Sequence, residues 1–250
     1  MKKLTSFFLT AALVLSLLAA CGQPQATVPE TTAQTRRALA YEGKSVTFIG
    51  DSITYGIGLE NQTNQYWTYL QKNLKLGLVQ NAGVSGSCVS TQGTRGFERQ
   101  PLAMRVNSIY RADIFVIFMG TNDFGCDVPI GTMDDTQDVS YMGAWNFVLN
   151  SLKQRHPDAK VILMTPLPRY SKKINALDLK LDAYVDAIKE IAQVHNLPVI
   201  DLYTIMADEF TEANCETYMP DKLHPNEAGH ELMARRIQAW LEENAELVLG

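Results

Sequence analysis

The chain has 250 residues, of which 46% are hydrophobic and 20% are charged, and its formal net charge is −5. This composition excludes a disordered chain, and the length fits one large domain or two small ones. Lysines and arginines are scattered along the chain and form no long basic run, so we expect no nucleic-acid partner.

The N-terminal segment is typical of an exported protein. Two lysines precede an uncharged apolar run over residues 7–20, which is too short to span a bilayer comfortably and therefore indicates a secretory signal. The run ends in Leu18-Ala19-Ala20-Cys21, which resembles the cleavage site and lipidated cysteine of a bacterial lipoprotein; an ordinary signal peptide is the alternative. We expect a signal at 1–20, lipidation of Cys21 and a flexible linker over 21–42. The protein would then be anchored to the bacterial cell membrane on its extracytoplasmic face.

From residue 43 onward, short apolar runs alternate with longer amphipathic stretches. Runs that are apolar on both faces are typical of strands buried in a parallel sheet. The alternation predicts a single α/β domain over 43–250, with helices on both faces of the sheet. The predicted strands are Val46–Ile49, Leu76–Gln80, Ile114–Met119, Val161–Met164 and Pro198–Ile200, and the predicted helices are Gln65–Leu74, Pro101–Tyr110, Tyr141–Arg155, Leu177–His195 and Asn226–Glu243.

Small polar residues follow three of the predicted strands. They form the segments Gly50-Asp51-Ser52-Ile53-Thr54, Asn81-Ala82-Gly83-Val84-Ser85-Gly86 and Gly120-Thr121-Asn122-Asp123. In a doubly wound sheet, ligands bind at the carboxyl ends of the strands, where the strand order reverses. We therefore expect these three loops to surround a ligand.

A fourth segment, near the C-terminus, supplies a candidate base. Among the four histidines, His224 lies between the fifth predicted strand and the last predicted helix, and Pro225 restricts its backbone. Asp221, three residues earlier, is placed to accept a hydrogen bond from the ring, which leaves the other ring nitrogen to act as a base. Ester hydrolysis by a serine needs a nucleophile, a base, a group that orients the base, and donors for the oxyanion.

The four segments resemble the signature blocks of the SGNH (GDSL-type) hydrolases, in the same order and with similar spacing, over about residues 44–242. The resemblance implies a three-layer α/β/α sandwich around a five-stranded, mostly parallel, doubly wound (flavodoxin-like) sheet. It implies that Ser52 is the nucleophile, His224 the general base and Asp221 its orienting partner. It also implies an oxyanion hole formed by the backbone N–H groups of Ser52 and Gly86 and by the side chain of Asn122.

Simpler interpretations compete with these roles. Ser52 alone could be a helix N-cap, and Asp221 and His224 could be a surface pair. Ser85 is a rival serine in a near match to the Gly-x-Ser-x-Gly motif, which fails because Ser87 occupies the last position. No histidine pair or Cys-x-x-Cys motif has metal-ligand spacing, so we expect neither a metal nor a cofactor. Whether Cys88, Cys126 or Cys215 forms a disulfide is left open.

The resemblance implies a serine ester hydrolase that acts through an acyl-enzyme. The substrate we expect is a short acyl group, such as acetyl, on carbohydrate, because no extended apolar segment suits a long acyl chain. A lipolytic esterase or lysophospholipase is the alternative, and a non-catalytic carbohydrate-binding surface lipoprotein is the alternative of another class. Aromatic residues beside the signature segments could stack on a sugar or merely pack in the core: Tyr55, Tyr66, Trp67, Phe97 and Phe124.

Overall fold

Five strands form one sheet in the order β2-β1-β3-β4-β5, and all four pairings are parallel. The computed structural model describes residues 39–92 and 99–250. The predicted signal, Cys21, residues 21–38 of the predicted linker and Phe97 lie outside the described residues. The strands are β1 (Val46–Gly50), β2 (Val79–Gly83), β3 (Ile114–Phe118), β4 (Lys160–Met164) and β5 (Val199–Ile200). The predicted five-stranded, doubly wound sheet is confirmed, and its strand order is flavodoxin-like.

Helices connect the strands and cover the sheet. The longer ones are α2 (Tyr66–Asn73), α5 (Tyr141–Arg155), α6 (Leu181–Val194) and α9 (Glu227–Glu243). Shorter helices are α1 (Ser52–Tyr55), α3 (Leu102–Arg105), α4 (Thr121–Gly125), α7 (Leu202–Ile205), α8 (Cys215–Tyr218) and α10 (Ala245–Leu249), and a 3₁₀ turn spans Val106–Ser108. None of the helices in the described part of the chain is both long and apolar enough to cross a membrane.

The central strand β3 shows why both faces of the sheet are covered. Successive side chains of a strand point to opposite faces, and all five residues of β3 are buried. Phe115 and Ile117 pack with residues of α3, α5 and α6 in one apolar cluster. Ile114, Val116 and Phe118 pack with residues of α2 and α9 in a second cluster. The sheet is therefore the middle layer of a three-layer sandwich.

The second strand begins at Val79, three residues later than the predicted start at Leu76. Residues after α2 close that helix instead: Lys75 has a left-handed φ of 51°, and the Leu76 N–H donates to the Gln71 carbonyl at 3.0 Å. Gly77 then donates to the Lys44 carbonyl at 2.9 Å. The apolar run that begins at Leu76 is therefore not the start of the strand, because its first residue still bonds back to α2.

Two predicted helices and the linker boundary also need correction. The predicted helix over Pro101–Tyr110 is only α3 followed by the 3₁₀ turn. The helix predicted from Leu177 begins at Leu181, because the Asn175 side chain accepts the backbone N–H groups of Leu177 and Leu179 and holds a separate turn. Tyr41, assigned to the linker, is buried and donates its hydroxyl to the Leu241 carbonyl at 3.0 Å. The packed domain therefore begins before residue 43.

The close approach of Gly77 to Gly43 gives a test of how the segment between α2 and β2 packs. A Cβ atom added at Gly77 would lie 2.6 Å from the Gly43 carbonyl oxygen, so backbone would have to move. We expect Gly77→Ala to lower the free energy of unfolding by about 2 kcal/mol, as overpacking does elsewhere. Urea unfolding followed by circular dichroism would measure it. Leu78→Ala is the control, because Leu78 is 65% exposed; equal effects of the two substitutions would contradict the packing argument.

Candidate active site

Ser52 is placed by the tight turn that follows β1. Asp51 is the N-cap of α1, and its carboxylate accepts the Ile53 N–H at 2.9 Å. Because Asp51 fulfils the capping function, the Ser52 hydroxyl is not needed for it. The interpretation of Ser52 as a simple N-cap is therefore wrong. The Ser52 Oγ lies 2.8 Å from Nε2 of His224, 172 positions further along the chain.

His224 is held from its other side by Asp221. The ring Nδ1 lies 2.6 Å from Asp221 Oδ2, and the backbone N–H of His224 donates to Asp221 Oδ1 at 2.7 Å. A carboxylate at Nδ1 favours the tautomer with its proton there, which leaves Nε2 to accept the proton of the serine hydroxyl. Burial acts to raise the pKa of Asp221, but the hydrogen bonds from His224 and Leu223 and the His224 charge hold that pKa below its usual value.

The residues predicted for the oxyanion hole meet Ser52 in one cleft of about 230 Å³. Gly86 follows β2 with a φ of +74°, a conformation that favours glycine. Asn122, in the first turn of α4, donates one Nδ2 proton to the Ser87 carbonyl at 3.1 Å and keeps its second. The cleft is lined by Ser52, Ser85, Gly86, Arg99, Asn122, Cys126, Leu223 and His224.

The rival serine lies in the same cleft but lacks the same partner. Ser85 lines the cleft, whereas the hydrogen bond from His224 Nε2 goes to Ser52. His230, another candidate base by residue type, is buried and stacks on Tyr66, and its Nδ1 accepts the Tyr66 N–H at 3.2 Å. Burial and the His224 charge lower the pKa of His230 to about 3, so it is a neutral core residue.

Sequence reasoning gave no role to Asp123, which ties the two predicted oxyanion loops together. This buried carboxylate accepts the N–H of Val89 with both oxygens at 3.0 Å and that of Ser90 at 3.2 Å. The thiols of Cys88 and Cys126 add a hydrogen bond between the same two loops. The sequence signal for Asp123 is its position directly after Asn122 in the third signature segment.

Two arginines also brace the carboxyl ends of the strands. Arg105 donates to the carbonyls of Ala82 at 2.9 Å and Gly50 at 3.0 Å, and so ties β1 to β2. Arg169 donates to the Thr121 carbonyl at 2.8 Å. Burial raises the pKa of Asp51 to about 6, an effect that the Ile53 N–H and the charges of His224, Arg169 and Arg105 oppose. No pattern in the sequence placed either arginine here.

The aromatic residues considered for sugar stacking differ in how far their rings are exposed to solvent. Tyr66 and Phe124 are fully buried in the core, so neither can stack on a sugar. Trp67 is partly buried and donates its indole N–H to the Thr54 carbonyl at 3.0 Å. Tyr55 is 50% exposed and immediately follows Thr54 at the carboxyl edge of the sheet. Of the four candidates for sugar stacking that lie within the described residues, Tyr55 alone has a ring that is open to solvent.

The other site predictions concern metals and disulfides. Among residues 39–92 and 99–250, no group of three or more His, Cys, Asp or Glu side chains could hold a metal ion. Within the same part of the chain, Cys88, Cys126 and Cys215 form no disulfide. Cys215 is buried and donates its thiol to the Glu212 carbonyl.

A model of the GDSL-like Lipase/Acylhydrolase family matches residues 48–232, which include every predicted residue of the triad and oxyanion hole. The chain belongs to this family. As a family member it is a carboxylic ester hydrolase, in agreement with the names of two curated relatives. The acetylxylan esterase of Geobacillus stearothermophilus is 27% identical over 80% of this chain and 94% of its own length.

The second relative is the cellulase/esterase CelE of Acetivibrio thermocellus, which is 24% identical over 80% of this chain. The hydrolase spans only about a quarter of CelE, since 25% of that protein is covered. Among solved structures, a Lactobacillus plantarum protein superposes with a TM-score of 0.72 and 27% identity, covering 81% of this chain and 98% of the other.

The buried carboxyl of Asp123 makes stability depend on pH. Burial raises its pKa to about 7 from an unperturbed value of 3.8, despite the hydrogen bonds from Val89 and Ser90. Between these two values the folded state keeps a proton that the unfolded chain has released, so acidification from pH 8 to 5 stabilises the fold. We expect this contribution to be at most about 2–3 kcal/mol, and to be absent in Asp123→Asn.

Urea unfolding of wild type and Asp123→Asn at pH 5, 6.5 and 8 measures the contribution. Asp51 changes stability in the same direction in both proteins, so the difference between the two curves isolates Asp123. We expect the wild type to gain stability relative to the variant as the pH falls. Parallel curves would show that Asp123 does not titrate in this range.

Proposed function

We propose that this hydrolase removes short acyl groups, such as acetyl, from carbohydrate by a serine mechanism, with Ser52 as nucleophile. The observation that carries the proposal is the hydrogen-bonded chain from Ser52 through His224 to Asp221 at the small polar cleft. If Asp221 and His224 were only a surface pair, no serine would need to lie within hydrogen-bond distance of His224. The complete series of hydrogen bonds also favours turnover over a role in carbohydrate binding alone.

In the first step, Ser52 Oγ attacks the ester carbonyl while His224 Nε2 accepts its proton. Asp221 stabilises the resulting imidazolium through the Nδ1–H hydrogen bond. The oxyanion is stabilised by the N–H groups of Ser52 and Gly86 and by the second Nδ2 proton of Asn122. Loss of one such donor typically costs roughly 3–4 kcal/mol of transition-state stabilisation. His224 then protonates the leaving alcohol, and water releases the acyl group by the reverse sequence of proton transfers.

The size and polarity of the cleft support a short acyl group. Its volume of about 230 Å³ is below the roughly 300–1,000 Å³ typical of pockets for drug-sized ligands. Of the described side chains that line it, only Leu223 and Cys126 are apolar. A long acyl chain would therefore lie against polar atoms or in solvent. The acetylxylan esterase, matched over 94% of its length, supports acetylated carbohydrate as the substrate class.

We also propose that this activity lies outside the cell, and the sequence of residues 1–21 supports that location. Lipidation of Cys21 would anchor the hydrolase to the extracytoplasmic face of the membrane. Mass spectrometry of the membrane fraction, with Cys21→Ala as the control, tests the anchor independently of the enzymatic activity.

A series of p-nitrophenyl esters from acetate to long acyl chains tests the reaction and the acyl preference. We expect kcat/KM to be highest for acetate and to fall as the chain lengthens. Ser52→Ala should lower kcat by at least about 10⁴-fold, because the rest of the machinery cannot replace the nucleophile. Ser85→Ala, a change at the other serine of the cleft, is the matched comparison and should have a much smaller effect.

The same series separates the alternatives. Activity that rises with chain length would favour a lipolytic esterase or lysophospholipase. Equal rates for wild type and Ser52→Ala would refute Ser52 as the nucleophile. Release of acetate from acetylated xylo-oligosaccharides by the wild type would support the carbohydrate substrate directly.

A further inference from the structure

Arg99 carries the one permanent charge among the described side chains that line the cleft. It lies against Gly86: a Cβ atom added there would be 3.1 Å from Arg99 Nη1 and 3.4 Å from its Cζ. The absence of a side chain at residue 86 therefore leaves room for the guanidinium beside the loop that carries a predicted oxyanion donor. Arg99 is also exposed to solvent, so a ligand entering from outside can reach it.

The other two arginines around the site differ from Arg99 in how their donors are used. Arg105 is bound to the carbonyls of Ala82, Gly50 and Gln100. Arg169 is bound to Thr121 and Ser171. Both are largely buried, and burial lowers the pKa of each. Within residues 39–92 and 99–250, no hydrogen bond or salt bridge joins Arg99 to another side chain or carbonyl.

A guanidinium with available donors binds a planar carboxylate through two parallel hydrogen bonds. The whole chain has a formal charge of −5, so its overall field does not attract anions. A cation inside the cleft acts at short range instead, and favours a ligand whose negative charge lies close to the ester bond. A neutral acetylated sugar would leave the Arg99 donors to water.

We propose that Arg99 selects esters whose alcohol part carries a carboxylate, and that the substrate is an acetylated acidic, uronate-containing saccharide. The saccharide part rests on the proposed function, whereas the selection of a carboxylate does not depend on it. Arg99 is a specificity-determining residue in this proposal. Its pairing with the substrate stabilises the bound state, so its loss raises KM more than it lowers kcat.

Two small aryl esters test the carboxylate selection without a sugar. 4-Acetoxybenzoate and 4-acetoxybenzamide carry the same acetyl ester and have similar shapes, but only the first is negatively charged. We expect Arg99→Gln to lower kcat/KM for 4-acetoxybenzoate by about tenfold, mainly through KM. For 4-acetoxybenzamide the fall should be less than about threefold. Arg99→Lys should retain part of the preference, since it keeps the charge but loses the bidentate geometry.

Arg111→Gln is the matched control for general charge effects. Arg111 is also an exposed arginine, but it precedes β3 and lines a separate cavity at the amino ends of the strands. We expect it to leave the preference for 4-acetoxybenzoate unchanged. Added NaCl should raise KM for that ester in wild type and have little effect in Arg99→Gln.

Acetylated galacturonate and xylo-oligosaccharides of matched length test the natural substrate class. Faster hydrolysis of the acidic oligosaccharide by wild type, lost in Arg99→Gln, would support the full proposal. If neither oligosaccharide is cleaved, the carbohydrate assignment fails, and the aryl pair still decides the role of Arg99. Equal losses on 4-acetoxybenzoate and 4-acetoxybenzamide would overturn the proposal, because they would place Arg99 in oxyanion stabilisation or in holding Gly86.

Discussion

The hydrogen bond between Ser52 and His224 joins the beginning of the domain to its end, and the rest of the site depends on it. Its 2.8 Å length requires the turn after β1 and the turn before α9 to be fixed relative to each other. The parallel sheet fixes the first turn, and the packing of α9 against α2 and the sheet fixes the second. A small error in either packing would separate the two atoms, because a hydrogen bond weakens steeply with misalignment.

The same constraint explains why charged groups are buried beneath the cleft. The carboxyl ends of three parallel strands lie side by side, and the loops that follow them carry backbone groups that the sheet does not pair. Arg105 donates to the carbonyls of Gly50 and Ala82, the first of which also accepts the Val84 N–H. Asp123 accepts the N–H groups of Val89 and Ser90 in the loop after β2. These side chains hold the loops from below, so the residues that face the cleft remain available for a ligand.

The sequence predicted the fold because each strand rests on a local pattern, and the four segments it singled out lie at one cleft in the structure. Runs such as Ile114–Met119 are apolar on both faces, and polar residues follow them directly. The predicted start of β2 at Leu76 is wrong because an apolar run does not show where a helix ends and a strand begins. The contacts of Arg99, Arg105 and Asp123 join residues that are distant along the chain, and no spacing rule relates such residues before the sheet is assembled.

The charged side chains buried beneath the cleft and those that face it act on different groups. Buried cations near Asp51 and the carboxyl ends of the strands stabilise negative charge on the protein itself, and their donors are occupied. Charge on a substrate must therefore be met by groups that face the cleft. A neutral amide such as Asn122 can stabilise an oxyanion that appears only in the transition state, without binding anions tightly in the ground state. In the mechanism we propose, the Arg99 guanidinium acts instead on the bound substrate. Under that proposal, Asn122 would serve the acceleration of the reaction and Arg99 the choice of substrate, within one small cleft.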